Sequence, residues 1–407
     1  GSSEKVASFL MKAPDPPEEL AVQNSLQLLA ELGALAPGEQ LTVLGAHLTE
    51  SALPPRLAKT VLWGILFGCL DDTLSVVSAT SGFTRDPFRL GGLPFEEAQA
   101  IRRGLASGFN SDHACLLKAV QGFSDASNQQ GFCEQNKLDV KTMRLIRDQQ
   151  NRIFAELKEN KTEAFANRSN GNFALLTAVL CAGNFPNVAR RRGTSDNLDA
   201  ERGKVEVRAH ASSAYVPTKP DEWVLFQEMS QVESNYKIKQ VSPVDPLVFA
   251  LLGGDGKFGI EPDSGKGAGK AGQVCITLLD GWMKFRTEAS VAEQLLKVRT
   301  GLQTAFQAFC SRPQDIPPQA TLQFIDKVAS LLQGKLLPVA GEEARGMKRA
   351  APPWAEQPGG GPRPKYGGGP KGGGKFPTPP SGPPPIPAFG KGGGKGGGGG
   401  GGRPWRR

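Results

Sequence analysis

The apolar period of this chain changes from helical to alternating near Gly203. Upstream, apolar residues recur at helical spacing; downstream they alternate. Pro16 and Pro17 can open a helix without losing a needed amide hydrogen, and Val22, Ser25, Leu26, Leu29 and Leu32 then share one face. Gly33 stops that helix, and a small hydrophobic wing and a second buried helix ending in WGILFGCLDDTLSVVSA follow. Further helical patterns run near Phe95–Leu105, Asp112–Phe123, Val140–Leu157 and Asn172–Cys181. Beyond Gly203, VEVRAHASSAYV, EWVLFQEMSQVES, YKIKQVSPVDP and VCITLLDGWMKFR each read as a strand. Pro243 and Pro246 end the third strand and open a short helix, VFALLGG. Strands with an interposed helix predict a small closed barrel of the OB type. Helices near Ser290–Phe309, striped by Val291, Leu295, Val298, Leu302 and Phe306, and near Leu322–Leu332 complete the pattern.

Composition matters at the C-terminus, where the 51 glycines and 32 prolines concentrate. Met347–Arg407 nets +10, with Glu356 its one acidic residue, whereas the whole chain nets +8, leaving −2 for the first 346 residues. Such a tail buries too little apolar surface to offset chain entropy and is expected to be disordered. Its Lys371, Lys375, Lys391, Lys395, Arg403, Arg406 and Arg407 interleave with aromatics such as Trp405. That pattern suits single-stranded nucleic acid, a passive linker or, through Pro377–Pro387, a ligand for SH3 or WW domains. The six cysteines are scattered without a C-x-x-C and read as buried reduced thiols of an intracellular protein, nuclear or cytoplasmic. No apolar run approaches the ~20 residues of a membrane span.

Several strings, in this order and spacing, closely resemble the helicase-associated region of DExH-box RNA helicases, the RNA helicase A-like branch in particular. They are Phe9-Leu10-x-Lys12-Ala13-x-Asp15-Pro16-Pro17, Leu32-Gly33-Ala34-Leu35, Leu41-Thr42-x-Leu44-Gly45-x-His47-Leu48 and Phe67-Gly68-Cys69-Leu70-Asp71. Ser111-Asp112-His113 and Ala174-Leu175-x-x-Ala178-Val179-Leu180-Cys181-Ala182-Gly183 extend the likeness into the helical bundle called the ratchet. His210-x-Ser212-Ser213, Leu252-Gly253-Gly254 and Asp280-Gly281-Trp282 are similar to landmarks of the family's OB-fold, although Ala211 stands where the relatives carry proline. The expected fold is multidomain α+β: a winged helix (1–75), a ratchet-like helical domain (76–189), an OB-fold (190–287), C-terminal helices (288–346) and the tail (347–407).

The resemblance implies an accessory region that binds single-stranded RNA, forms part of its channel and couples it to motor domains in cis. Those motor domains, with their ATP and Mg, would precede Gly1, so the chain looks like a fragment. The 407 residues contain no D-E-x-H string. Gly265-Lys266-Gly267-Ala268-Gly269-Lys270 lacks the first glycine and the final Ser/Thr of a phosphate loop. No cofactor or metal site is therefore expected. A free-standing RNA-binding or helicase-regulating protein, and a scaffold acting through its tail, are the rival readings.

Candidate RNA contacts follow from residue chemistry. His113 stands at a helix start and serves either a cap or RNA. His210, Ser212 and Ser213 lie on a strand or its edge, where OB-folds bind single strands. Arg190, Arg191, Arg192 and Arg208, with Arg202 and Lys204, form a basic stretch that is either a solvated linker or a set of mobile phosphate ligands. Trp63 and Trp282 sit in apolar runs and read as core.

Overall fold

A computed structural model describes residues 5–159, 167–232, 235–254, 258–262, 272–313 and 315–333, all within the first of the chain's two units, Gly1–Met347. Helix α1 (Val6–Leu10) precedes α2 (Glu19–Glu31), which ends at Gly33 with φ +76°. The wing is a hairpin of β1 (Leu35–Ala36) and β2 (Gln40–Leu41). Thr42 Oγ1 accepts from the Gly45 N–H (3.0 Å) and caps α3 (Val43–Glu50). The next apolar run, read from sequence as one buried helix, is two: α4 (Pro55–Phe67) and α5 (Leu70–Thr80). Gly68, at φ +74°, ends the first in the left-handed conformation that glycine tolerates.

Helices α6 (Phe95–Leu105), α7 (Asp112–Asp125), α8 (Gln129–Gln135), α9 (Val140–Glu159) and α10 (Phe173–Asn184) complete the helical block. Phe67, Leu74, Leu175 and Val179 centre one core, and Cys115, Phe123, Met143 and Ile146 a second. Burial pushes the Cys69 thiol up to about 12, and none of the six cysteines is in a disulfide.

Seven strands follow in one sheet: β3 (Val188–Arg191), β4 (Leu198–Ala200), β5 (Val205–Ala209), β6 (Trp223–Leu225), β7 (Glu228–Val232), β8 (Asn235–Lys239) and β9 (Ser242–Pro243). Their order is β7-β8-β5-β4-β3-β6-β9, antiparallel except for β5 beside β8. The OB-type sheet is curled but not closed, because β7 and β9 remain edges. Two expected strands each divide. Phe226 and Gln227 separate β6 from β7, and Gln240, at φ +49°, turns the chain between β8 and β9. Strands β3 and β4 occupy the arginine-rich stretch that reads as a linker from sequence.

Helix α11 (Pro246–Leu252) leads to a separate antiparallel sheet of β10 (Gly259–Pro262), β11 (Gln273–Leu278) and β12 (Met283–Glu288). The run VCITLLDGWMKFR is thus a hairpin, turned by positive φ at Leu279, Asp280 and Gly281. Helices α12 (Ala289–Ser311) and α13 (Gln319–Gln333) pack back on the helical core. Trp63 stacks on Phe306 with ring centroids 4.0 Å apart, and Trp282 meets Trp223 edge-on at 4.9 Å. His47 Nε2 donates to the Cys310 carbonyl (2.5 Å), a structural tie. Arg299, 2% exposed, donates to the carbonyls of Ala250 (3.1 Å), Gly253 (3.3 Å) and Gly254, holding a cation at the C-terminus of α11.

Candidate nucleic-acid interface

The start of α7 is built into the sheet. Ser111 Oγ caps the helix by accepting from the Ala114 N–H (3.1 Å). The buried Asp112 carboxylate accepts from Ser213 Oγ (2.7 Å), the Ala214 N–H (2.5 Å) and the Val241 N–H (2.9 Å). Its own N–H donates to the Val241 carbonyl (2.9 Å). Ser242 Oγ lies 2.5 Å from Ser111 Oγ and 2.7 Å from His113 Nδ1. Burial pushes the Asp112 carboxyl up, and its three donors and Arg102 pull it back. Burial likewise lowers His113 to about 4, against a weaker upward pull from Gln227, so the ring is neutral at pH 7.

Two expected RNA contacts are corrected here. His113 and Ser213 are both buried, and the hydrogen bonds from His113 Nδ1 and Ser213 Oγ tie α7 to the sheet, so their place is in the joint and not on the strand face. His210 and Ser212 lie at the edge of this joint and stay partly exposed. The Ser213 N–H donates to the His210 carbonyl (2.8 Å), which closes a turn with Ala211 at its second position. Within it, His210 Nδ1 accepts from the Ser212 N–H (3.1 Å) and lies 2.8 Å from Ser212 Oγ.

The register of β5 beside β8 decides which side chains share the outer face. Arg208 pairs with Lys237, while Val207 and Ile238 face the sheet's own core. Two residues along each strand, His210 and Lys239 join the same side. Burial lowers the His210 pKa, and Lys239 and Lys237 lower it further. Lys239 lies 3.9 Å from Glu228, and Arg208 Nε donates to Asn197 Oδ1. Next to this patch opens a cavity of about 330 Å³ with mixed polar and apolar walls, lined by Thr80, Thr84, Arg102, His210, Ser212 and Lys239 among others. Cations spaced along a strand face, beside hydroxyls and an imidazole, can hold phosphates while presenting donors and acceptors to sugars and bases.

The arginine cluster is less available than a linker would be. Arg191, 7% exposed, donates from Nε to Ser195 (2.7 Å), from Nη1 to Lys219 (3.0 Å) and from Nη2 to Thr194 (2.8 Å), all carbonyls. It is a pin of the β3–β4 hairpin, not a phosphate ligand. Arg190 is exposed but paired with Asp221 (3.2 Å), and Arg192 with Asp199 and Glu206. Arg202 reaches Glu31 (3.4 Å) and Asp280 (3.3 Å). Lys371, Lys375, Lys391, Lys395, Arg403, Trp405, Arg406 and Arg407 lie outside the described residues, as does Gly265–Lys270. Among the described residues, no helix is long and apolar enough to cross a membrane, and no group of three metal-ligating side chains converges.

Comparison with known proteins fits this architecture. Residues 54–171 match the family described as helicase associated domain (HA2), ratchet-like. Residues 176–256 match the oligonucleotide/oligosaccharide-binding (OB)-fold family. DExH-box ATP-dependent RNA helicase DExH1 of Arabidopsis thaliana is 32% identical over 306 residues, 72% of this chain and 29% of the relative. The chain is a helicase-associated and OB-fold region of the DExH-box RNA helicases. The human ATP-dependent DNA/RNA helicase DHX36 is 27% identical over 333 residues, 76% of this chain and 31% of the relative. The mouse ATP-dependent RNA helicase DHX29 is 25% identical over 331 residues, 75% and 23% respectively. The chain thus spans less than a third of the length of these helicases.

In this helicase region the Asp112 carboxylate is a central tie between the two matched segments. Asp112 belongs to the HA2 match, and its partners Ser213, Ala214 and Val241 to the OB match. The strings Ser111-Asp112-His113 and His210-x-Ser212-Ser213 are therefore two halves of a single joint. Lys237 and Lys239 are the members of this basic patch that sequence reasoning passes over. Their signal is present in Tyr236-Lys237-Ile238-Lys239, where alternation puts both lysines on one face.

Proposed function

We propose that this helicase region binds single-stranded RNA across the outer face of β5 and β8 and serves, with motor domains in cis, as part of the RNA channel. The observation that carries the reading is the register that gathers Arg208, His210, Lys237 and Lys239 on one side of an OB-type sheet. The relatives are named ATP-dependent RNA helicases, one of them a DNA/RNA helicase. With neither a D-E-x-H string nor a complete phosphate loop in its 407 residues, the chain is assigned the holding of the strand and not nucleotide turnover. Coupling to the motor would pass through the Asp112 joint, which fixes the sheet to the helical block.

The test is the affinity of the 407-residue chain for a short single-stranded RNA, read by fluorescence anisotropy over a salt series. The double variant Lys237→Glu, Lys239→Glu should bind roughly ten-fold more weakly, and its salt slope should fall by about 0.7 for each phosphate no longer neutralised. Unchanged affinity and slope, with the melting temperature of the parent, would remove β8 from the interface.

A further inference from the structure

The seam between β5 and β8 carries a charge arrangement that the fold does not itself complete. Arg208 and Lys237 are Cα partners on the adjacent strands, and like charges placed opposite each other are destabilising. Other cations on the same face each meet a carboxylate. Arg190 meets Asp221 (3.2 Å), Arg192 meets Asp199 and Glu206, and Lys239 meets Glu228 (3.9 Å). Arg208, by contrast, donates to the neutral side chain of Asn197, and Lys237 makes no hydrogen bond or ion pair among the described residues. Two facing cations left without a carboxylate are completed by an anion from outside the chain.

The parallel register supplies a second position of the same kind. The His210 N–H donates to the Ile238 carbonyl (2.9 Å), so the pairing continues past the end of β5. His210 and Lys239 therefore stand side by side about 6.6 Å further along the strands, on the face of Arg208 and Lys237. His210 Nδ1 accepts from the Ser212 N–H (3.1 Å), which puts the ring proton on Nε2. Nε2 has no partner among the described residues and is a neutral donor beside an ammonium group. Acidic groups bound the seam elsewhere. Glu206 precedes Arg208 on β5 opposite Asp199 of β4, and Glu228 of β7 lies opposite Lys239. Beyond His210, the cation that the cavity adds, Arg102, is already held by Asp86.

We propose that a bound strand runs along the β5–β8 seam, with one phosphate between Arg208 and Lys237 and the next at Lys239 and His210 Nε2–H. The two rungs lie about one nucleotide of an extended strand apart, so the seam holds two consecutive phosphates. A strand laid at right angles would instead pass from Lys237 and Arg208 onto Asn197 and Arg192, whose charge Asp199 and Glu206 already meet. The inference rests on the RNA-binding reading above and adds the path of the strand and the number of phosphates held. Contacts of this kind fix register and carry no base preference.

The test uses short labelled 2′-O-methyl strands whose linkages are uncharged methylphosphonates except for two phosphates, placed next to each other or further apart. Affinity for the 407-residue chain is read by fluorescence anisotropy. Adjacent phosphates should bind about five-fold more tightly than phosphates separated by uncharged linkages, the scale of one exposed charge contact. Lys237→Ala and Lys239→Ala should each erase that preference, because a single rung cannot tell the spacings apart. A preference for separated phosphates would overturn the seam path. So would the absence of any preference while both lysine variants still weaken binding, and in either case the strand-binding face stands. Parent-like binding by both lysine variants, at the melting temperature of the parent, would overturn the face and the path together.

Discussion

At the scale of single residues, the joint between α7 and the sheet is made by buried groups. His113 is neutral inside the joint, with its pKa lowered by burial from 6.5 to about 4. Between those two values an unfolded chain takes up a proton that the folded chain refuses. The unfolded state therefore binds more protons in that window, and stability falls as pH drops from 6.5 toward 4, by up to about 3 kcal/mol. Urea denaturation at pH 7 and at pH 4.5 should show a smaller loss in His113→Gln than in the parent. An equal loss in both would mean that His113 is not held neutral in the fold. Ala211 gives a second prediction. It occupies the second position of the turn that closes on His210, where proline fits. Ala211→Pro should raise stability by about 0.4–1 kcal/mol, read in the same denaturation assay.

At the scale of elements, close approach of helices is specified by small residues within otherwise apolar runs. A Cβ placed on Gly183 of α10 would land on Thr60 Oγ1 and 2.9 Å from the Arg56 carbonyl oxygen of α4. Arg56 Nη1 donates to the Asn184 carbonyl (2.5 Å) across the same crossing. Gly183→Ala should therefore cost about 1–3 kcal/mol, measured as a lower urea midpoint, with less effect on the basic patch of β8. The helices were legible because their apolar stripes are long: Phe95–Leu105 is α6 at both ends, and α7, α9, α10 and α12 differ from expectation at their termini. The strands were legible only as a region. Alternation cannot tell that Gln240 takes a positive φ and cuts one run into β8 and β9. Nor does it find β3 beneath three successive arginines, whose charges are met by Asp199 of β4 and by Asp221 and the Lys219 carbonyl of the segment before β6. For the same reason Arg191 and Ser213 read as surface chemistry until the sheet buried them, whereas Arg208 and His210 kept their place on its open face.

At the scale of the whole molecule, charge is divided unevenly between the first 346 residues, netting −2, and the last 61, netting +10. The basic patch of β5 and β8 is thus a local excess on a body with no overall attraction for RNA, and its contribution rests on geometry. If they meet RNA, the C-terminal cations would add a long-range attraction with little demand for sequence, since each neutralised phosphate releases counterions. These two contributions separate by their salt dependence. Ending the chain after Gly346 should flatten the slope of log affinity against log salt by roughly 0.7 for every phosphate that the tail neutralises, and should leave weaker binding. In that shortened chain, Lys237→Glu with Lys239→Glu should remove most of the remaining affinity, because β8 then supplies the principal phosphate contacts. Anisotropy with one short RNA across a salt series, on all four combinations of truncation and substitution, gives both effects and their coupling. If truncation leaves the slope unchanged, the terminal 61 residues do not meet RNA, and the sheet alone accounts for the affinity. If the shortened parent already binds nothing at low salt, the basic patch does not act as a strand-binding face in this chain.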